Sequence, residues 1–250
     1  MQRFSTIRRG GCAKYALLSV VLLGLVMALA FWYIRPLRMK RISGIREWFR
    51  DPTAHQAWQV HIGERCGEAP MIIPTTGYIG VGWGDGFSPF YQHTGYDIFS
   101  PDGADNVTPI VAAYDGYLTR EANWRSAVII RHPDFPTPVD GVDLVDGEQI
   151  WTYYTHMAST DGETSYVAAE FPQGTREKFV EAGTILGYQG TWSGNPTSPT
   201  GLHLHFSVVT STPDGAYANE TTIRNTYDPA LFLGLEADED GILSCRSGNS

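Results

Sequence analysis

Basic residues are scarce over most of this 250-residue chain. Only eight of its 18 Lys and Arg residues lie beyond residue 50, against 26 of its 27 Asp and Glu residues. The formal net charge of −9 therefore divides into +9 for the first 50 residues and −18 for the rest. Because nucleic-acid binding needs a basic surface that neutralises phosphates, the acidic body excludes nucleic acid as a partner.

Cysteine is equally rare, with three residues in the whole sequence. Cys66 and Cys245 bracket the body of the chain, and they either form a disulfide in an oxidising compartment or remain two unpaired thiols. Cys12 precedes a long apolar run and is either free or acylated. None of the three adjoins a histidine motif, which excludes a structural zinc site of the Cys-rich kind.

Long helical patterns are few, whereas glycine and aromatic residues are plentiful. This balance favours an all-β or β-rich domain, and the close spacing of Gly and Pro favours antiparallel sheets. A short helix over 227–233 is predicted to close the domain. The predicted strands cover 78–82, 96–99, 110–120, 127–132, 149–156, 185–190 and 202–210.

One long apolar run, residues 15–34, carries no charge and has the length of a helix that crosses a bilayer. The competing interpretation is a cleaved signal peptide, because Ala28-Leu29-Ala30 resembles a cleavage site. We favour an uncleaved anchor, since the apolar run continues past Ala30 and basic residues follow it. Basic residues flank both ends, so they do not set the orientation of the segment.

Composition divides the chain into five parts. They are a cytoplasmic N-terminus (1–14), a transmembrane anchor (15–34), a juxtamembrane linker or helix (35–65), the folded domain (66–235) and a loose acidic tail (236–250).

Within the linker, a segment over 43–58 is a candidate amphipathic helix with Ile45, Trp48 and Phe49 on one face, and we expect an ordinary linker there.

Two stretches, 133–148 and 159–176, are long, polar and rich in turn residues. Loops of this length are often functional. We expect them either to wall a groove or to contact a protein partner.

The stretch Gly201–Thr210 reads as a strand, so His203 and His205 share one face and Leu204 takes the other. Two imidazoles side by side on a strand can bind one metal ion, or one can bind it while the other handles protons. Taken alone, the His-x-His pattern favours two surface histidines on a half-exposed strand.

Two further clusters accompany this pair along the chain. His93 and Asp97 stand four positions apart, and His156 ends a strand-like run that begins near residue 149. Catalytic zinc takes three nitrogen or oxygen ligands and leaves one position for water. His93, Asp97 and one histidine of the pair would supply those ligands, and two histidines would remain for acid–base chemistry. The alternatives are a loop hydrogen bond for the first cluster and a core histidine at 156.

The order His-x-x-x-Asp, Tyr-x-His and His-x-His resembles that of the LytM/lysostaphin-type zinc metallopeptidases, peptidase family M23. The resemblance covers roughly residues 73–233. Four other segments resemble the family's pattern, at 74–79, 108–116, 128–132 and 180–187.

The resemblance implies an antiparallel LytM-type fold (duplicated hybrid motif-like) and one zinc ion per chain. It assigns His93, Asp97 and His205 as zinc ligands, and His156 and His203 as the pair that orients water and stabilises the tetrahedral intermediate. The implied activity is hydrolysis of peptide bonds in bacterial cell-wall peptidoglycan by a zinc-activated water. That activity and the cysteines favour a cell-membrane protein with its domain outside the cytoplasm.

Two other functions stay open at this point. One is a non-hydrolytic or partner-activated LytM-type domain that binds wall peptides or regulates another cell-wall hydrolase. The other is a structural role, in which the domain docks a partner. Within the site region we interpret His132 as structural, and Trp192 and Asn195 either line a substrate groove or belong to an ordinary solvent loop.

Overall fold

The computed structural model describes residues 12–86, 91–136, 139–142, 144 and 148–245. Side chains are described within these ranges except at 12–14, 16–18, 30–40 and 42. The predicted cytoplasmic segment 1–14 therefore lies outside the described side chains.

Strands dominate this part of the chain, and all their ladder pairings are antiparallel. The strands are β1 (Gln59–Val60), β2 (Gly77–Val81), β3 (Tyr96–Phe99), β4 (Pro109–Val111), β5 (Gly116–Thr119), β6 (Val128–His132), β7 (Ile150–Thr155), β8 (Lys178–Val180), β9 (Ile185–Tyr188), β10 (His203–Val209), β11 (Thr226–Tyr227), β12 (Leu235–Ala237) and β13 (Leu243–Cys245). The main sheet has the order β1-β2-β3-β10-β7-β6-β5-β8, with β11 also paired to β10, while β4–β9 and β12–β13 form two small sheets. The prediction of a β-rich antiparallel domain is confirmed.

Strand β10 lies near the middle of the main sheet, and all of its residues are buried. Leu204, Phe206 and Val208 pack into the main hydrophobic core on one face. His203 and His205 take the opposite face, as the alternation of a strand requires. A central strand of apolar and β-branched residues can therefore carry two histidines in a protected position.

The single strand predicted over 110–120 is wrong. The chain instead forms β4 and β5, because the two halves pair with different partners: β4 with β9, and β5 with β6 and β8. The turn between them is fixed by Ala113 N, which donates to Tyr154 Oη at 2.9 Å, and by Ala182 N, which donates to Asp115 Oδ1 at 2.7 Å.

A helix, α1 (Cys12–Arg50), runs through the predicted anchor, 15–34. Among the described residues, however, no helix is long and apolar enough to cross a membrane. Side chains in the anchor are described only at 15 and 19–29, a stretch shorter than the about 20 residues of a spanning helix. The transmembrane anchor over 15–34 therefore stays a prediction.

The predicted amphipathic helix over 43–58 is two elements. Helix α1 ends at Arg50, and a 3₁₀ helix follows over Pro52–Trp58. Pro52 disfavours helical geometry in the residue before it, and Asp51 Oδ1 accepts from Ala54 N at 3.0 Å to cap the new helix. The chain therefore changes direction at residue 51.

The described part of the tail, residues 236–245, is ordered, so the expectation of a loose tail over 236–250 does not hold for that part. Strand β12 pairs with β13, and Cys245 forms a disulfide with Cys66, with their Cα atoms 5.0 Å apart. A disulfide that spans 179 residues stabilises by about 5 kcal/mol in the chain-entropy model. The closing helix, α2 (Ala230–Leu233), is shorter than predicted and buries Phe232 and Leu233 beside this hairpin.

The long stretch 159–176 packs on the domain. Phe171 is fully buried, and its carbonyl oxygen accepts from Arg120 Nη1 at 2.8 Å. Part of the other stretch, 133–148, lies outside the described residues. Contact of either stretch with a protein partner stays a prediction.

Candidate metal centre

Three adjacent strands place the polar residues of the site on one face of the sheet. In the register of the ladders, His205 on β10 lies opposite Asp97 on β3 and opposite Thr155 on β7. His93 comes four residues before Asp97, where the chain enters β3. Gly95 allows this approach, because a Cβ there would lie 2.2 Å from the Phe206 carbonyl oxygen. Sheet pairing therefore joins ligands that are more than a hundred residues apart in sequence.

Three atoms converge at this point. His93 Nε2, Asp97 Oδ1 and His205 Nδ1 lie 2.9–3.0 Å from one another. Two ligands of a tetrahedral zinc ion lie about 3.3 Å apart when each bond is about 2.0–2.1 Å. The described residues contain one such group of His, Cys, Asp or Glu side chains, and it is this one.

The chemistry of the three atoms fits a bound cation. His93 Nδ1 donates to the Gly82 carbonyl oxygen at 3.1 Å, so His93 Nε2 carries the lone pair. His205 Nε2 lies 2.9 Å from Ser207 Oγ, and donation to that hydroxyl leaves the lone pair of His205 on Nδ1. Two lone pairs and a carboxylate oxygen within 3.0 Å repel one another unless a proton or a metal ion lies between them.

Charge interactions keep Asp97 ionised. Burial opposes ionisation, but the charge of His203 and the hydrogen bonds of His203, His205 and His93 outweigh it, and the pKa of Asp97 lies well below its usual range. Burial would lower the pKa of His93, yet the hydrogen bond that a protonated Nε2 donates to Asp97 and the charge of Asp97 raise that pKa. At His205 burial prevails and lowers the pKa despite Asp97.

His156 and His203 stand beside this group, with ring centroids 4.6 Å apart. Each is oriented by a backbone carbonyl: His156 Nδ1 donates to Trp192 O at 2.6 Å, and His203 Nδ1 donates to Gly201 O at 2.7 Å. In the neutral ring of each histidine Nε2 therefore carries the lone pair, and Nε2 of His203 lies 3.3 Å from Asp97 Oδ1. Burial lowers the pKa of His156 to about 3, so its imidazole is neutral at pH 7.

The position of His156 depends on an unusual backbone conformation. Thr155 faces the site, so a continued strand would turn residue 156 toward the core. His156 instead has φ of +75°, in the left-handed region, and β7 ends there. Gly190 packs against this turn, where a Cβ would lie 2.5 Å from His156 O. Such strained positions persist where the surroundings enforce them, and they cluster at functional sites.

A cavity of about 540 Å³ adjoins His156. Tyr153 forms its inner wall, with its ring 6.2 Å from His205 and 6.1 Å from Trp124. Trp192 lines it, as one of the two sequence interpretations expected, whereas Asn195 Oδ1 accepts from Thr197 N within its own loop. Sequence reasoning missed Tyr153, although alternation on β7 places it on the same face as Thr155.

The other histidines lie away from the centre. His132 is buried, and its ring nitrogens bond to Asp115 O at 2.7 Å and to Thr152 Oγ1 at 2.9 Å. Burial lowers its pKa to about 4. His55 stacks on Trp58 near the helix that follows α1. The interpretation of His132 as structural agrees with these contacts.

No protein-family model matches the chain, and no curated protein matches it. Among solved structures, a glycyl-glycine endopeptidase LytM from Ruminococcus gnavus is similar at 20% identity and a TM-score of 0.37, over 56% of this chain and 45% of that one. A mutant catalytic domain of the prophage-encoded M23 protein EnpA from Enterococcus faecalis is similar at 23% identity and a TM-score of 0.34, over 66% of this chain and 97% of that one.

Lysostaphin from Staphylococcus simulans, an antimicrobial peptidase, is similar at 18% identity and a TM-score of 0.35, over 74% of this chain and 66% of that protein. The chain thus spans less than half of the Ruminococcus protein and about two thirds of lysostaphin. The three neighbours are thus a LytM endopeptidase, an M23 protein and an antimicrobial peptidase. Membership of the M23 family stays a prediction.

Proposed function

We propose that the chain is a zinc-dependent endopeptidase that hydrolyses peptide bonds of bacterial peptidoglycan outside the cytoplasm. The observation that carries the proposal is the convergence of His93 Nε2, Asp97 Oδ1 and His205 Nδ1 within 3.0 Å, beside two more histidines. A donor set of two imidazoles and one carboxylate is typical of catalytic zinc sites, which keep a position for water.

This donor set favours zinc over magnesium and calcium. Imidazole nitrogen suits zinc, whereas all-oxygen sites suit magnesium or calcium. When bound, zinc would lower the pKa of water and polarise the scissile carbonyl group.

The acid–base steps belong to the histidines outside the ligand set. His156 is neutral at pH 7, and its Nε2 can accept the proton of the attacking water and later deliver it to the leaving amine. His203 holds its Nε2 on the same side, where in the protonated form it would donate to the developing oxyanion. The carbonyl group of Trp192 keeps His156 in the tautomer with its proton on Nδ1, and the carbonyl group of Gly201 orients the ring of His203.

The substrate side of the proposal rests on the cavity and on the compartment. An open cavity of about 540 Å³ beside His156 has room for an extended peptide segment, and aromatic rings provide its apolar walls. The Cys66–Cys245 disulfide is typical of proteins in oxidising compartments, where peptidoglycan lies.

The test is zinc content together with peptide release from purified peptidoglycan of several cross-link types. We expect one zinc ion per chain and release of peptides by the wild type. His205→Ala should lose both, whereas the control His55→Ala should keep both. Bound zinc without release from any peptidoglycan would favour the non-hydrolytic or partner-activated domain. Absence of bound zinc would overturn the proposal.

A further inference from the structure

The end of α1 is part of the folded domain, although the sequence predicts a linker there. Trp48 is fully buried in a small core with Tyr78 and Phe99. Its Nε1 donates to Ser100 O at 2.9 Å, and Tyr78 Oη donates to Arg41 O at 2.8 Å. We call residues 41–50 the docked end of α1.

Arg41 on the docked end forms an ion pair with Asp85, and both side chains are largely buried. The guanidinium lies directly on Gly82, where a Cβ would be 2.8 Å from Arg41 Nη2. Asp85 Oδ2 also accepts from Gly82 N at 2.7 Å. The turn over 82–85 is therefore held between its own carboxylate and the arginine of the helix.

The same turn holds His93. Gly82 O accepts from His93 Nδ1 at 3.1 Å, and Asp85 O accepts from His93 N at 2.6 Å. Gly84 N donates in turn to His93 O at 2.8 Å. The ring and both backbone polar groups of His93 thus bond to the residues that Arg41 fixes.

The other end of the docked segment approaches the second half of the site. Phe49 packs edge-on against Phe99 with centroids 5.4 Å apart, and Phe99 contacts the His203 ring at 5.0 Å. Phe49 also lies near Gly201, whose carbonyl oxygen accepts from His203 Nδ1.

We propose that the docked end of α1 positions the metal centre, with Arg41 as a positioning residue that acts on His93 through Asp85 and Gly82. The inference rests on the proposed function, because it concerns the metal affinity of the same three ligands. Partners that orient a ligating histidine commonly affect metal affinity by roughly 10- to 100-fold. We expect a change of that size when the arginine is lost.

The experiment compares full-length wild type with Arg41→Met, which keeps most of the aliphatic stem and removes the charge. Arg46→Met, at an exposed position of the same segment, is the matched control. Zinc dissociation constants come from competition with a chromophoric chelator, and Co²⁺ absorption spectra report the ligand geometry. Arg41→Met should bind zinc roughly 10- to 100-fold more weakly and alter the Co²⁺ spectrum, while Arg46→Met should match the wild type.

Failure of this inference differs from failure of the proposed function. A wild type that binds no zinc overturns both, whereas zinc binding without peptide release overturns only the proposed reaction. Equal zinc affinity and equal Co²⁺ spectra in wild type and folded Arg41→Met overturn only the positioning role. Should Arg41→Met not fold, Gly82→Ala replaces it, since the added methyl group displaces the guanidinium, and wild-type affinity in that variant would equally overturn the role.

Discussion

The two sides of the metal centre are built in different ways. On the His93 side, the ligand lies under a turn that buried side chains and the docked end of α1 hold in place. On the His156 side, the imidazole donates a hydrogen bond to the carbonyl oxygen of Trp192, and an exposed loop over 193–199 follows that residue. The ligand that would bind the metal is therefore held by buried residues, whereas the histidine that would meet the substrate is held by a residue next to a surface loop.

This difference separates two requirements of the proposed chemistry. A metal ligand must be held to within a fraction of an ångström, which burial and several hydrogen bonds achieve. A substrate groove must instead open to solvent, and its walls lie beside His156. The sheet serves both, since β10 carries one ligand and one histidine of the acid–base pair.

We expect the largest effects, on zinc content and on activity, when one histidine on each side of the metal centre is replaced. His93→Ala should lose both zinc and activity, because a two-ligand site binds weakly. His156→Ala should keep one zinc ion per chain and lose roughly 10²- to 10⁴-fold in kcat, the usual contribution of general acid–base catalysis. Metal analysis and peptide-release kinetics on both variants provide the measurement. If His156→Ala also loses its zinc, the division between the two sides is wrong.

His132 is a buried histidine that belongs to neither side of the metal centre, and we expect it to affect the free energy of unfolding. Its pKa is about 4 in the folded protein against 6.5 when unperturbed, so the unfolded chain takes up the proton first as pH falls. The contribution of His132 to the free energy of unfolding is therefore fully present above pH 6.5. It decreases by up to about 3 kcal/mol as the pH falls from 6.5 to about 4.

Denaturant unfolding of wild type and His132→Asn, at pH 7 and pH 4.5 with chelator present, tests this expectation. The variant should be less stable at pH 7, and the gap in unfolding free energy should narrow at pH 4.5. The chelator removes the separate pH dependence of metal binding. A gap that stays constant with pH would show that His132 titrates normally in the fold.

Changing the wall of the groove should give the smallest effect. Trp192→Ala removes an aromatic ring from the cavity while the backbone carbonyl that holds His156 remains. We expect kcat/KM for peptide release to fall about tenfold, with zinc affinity unchanged. Asn195→Ala on the same loop is the control and should match the wild type. A loss of zinc in Trp192→Ala would mean that this loop also supports the ligands.

Local sequence patterns predict much of the fold and the chemistry of the centre. Alternation on a strand puts His203 and His205 on one face, and the structure has them there. The antiparallel, β-rich class follows from short apolar runs between glycines and prolines. These features depend on neighbouring residues, which a sequence displays directly.

Features that depend on distant contacts could not be predicted in this way. Nothing local to His156 indicates its positive φ, and the close packing that this turn needs is allowed by Gly190, from another part of the chain. Likewise the burial of Trp48 depends on Tyr78 and Phe99, so the segment reads as a linker until the sheet is formed. The acidic tail reads as loose because its disulfide partner lies 179 residues away.

The disulfide between Cys66 and Cys245 has a consequence for damage to the protein. It joins the beginning of the sheet domain to the last described strand, so all five residues of the candidate metal centre and its histidine pair lie within one covalent ring. A single cut by a foreign protease in the exposed loop 193–199 would open the ring without releasing a fragment. Nicked molecules would keep their mass on a non-reducing gel and separate into two bands only after reduction.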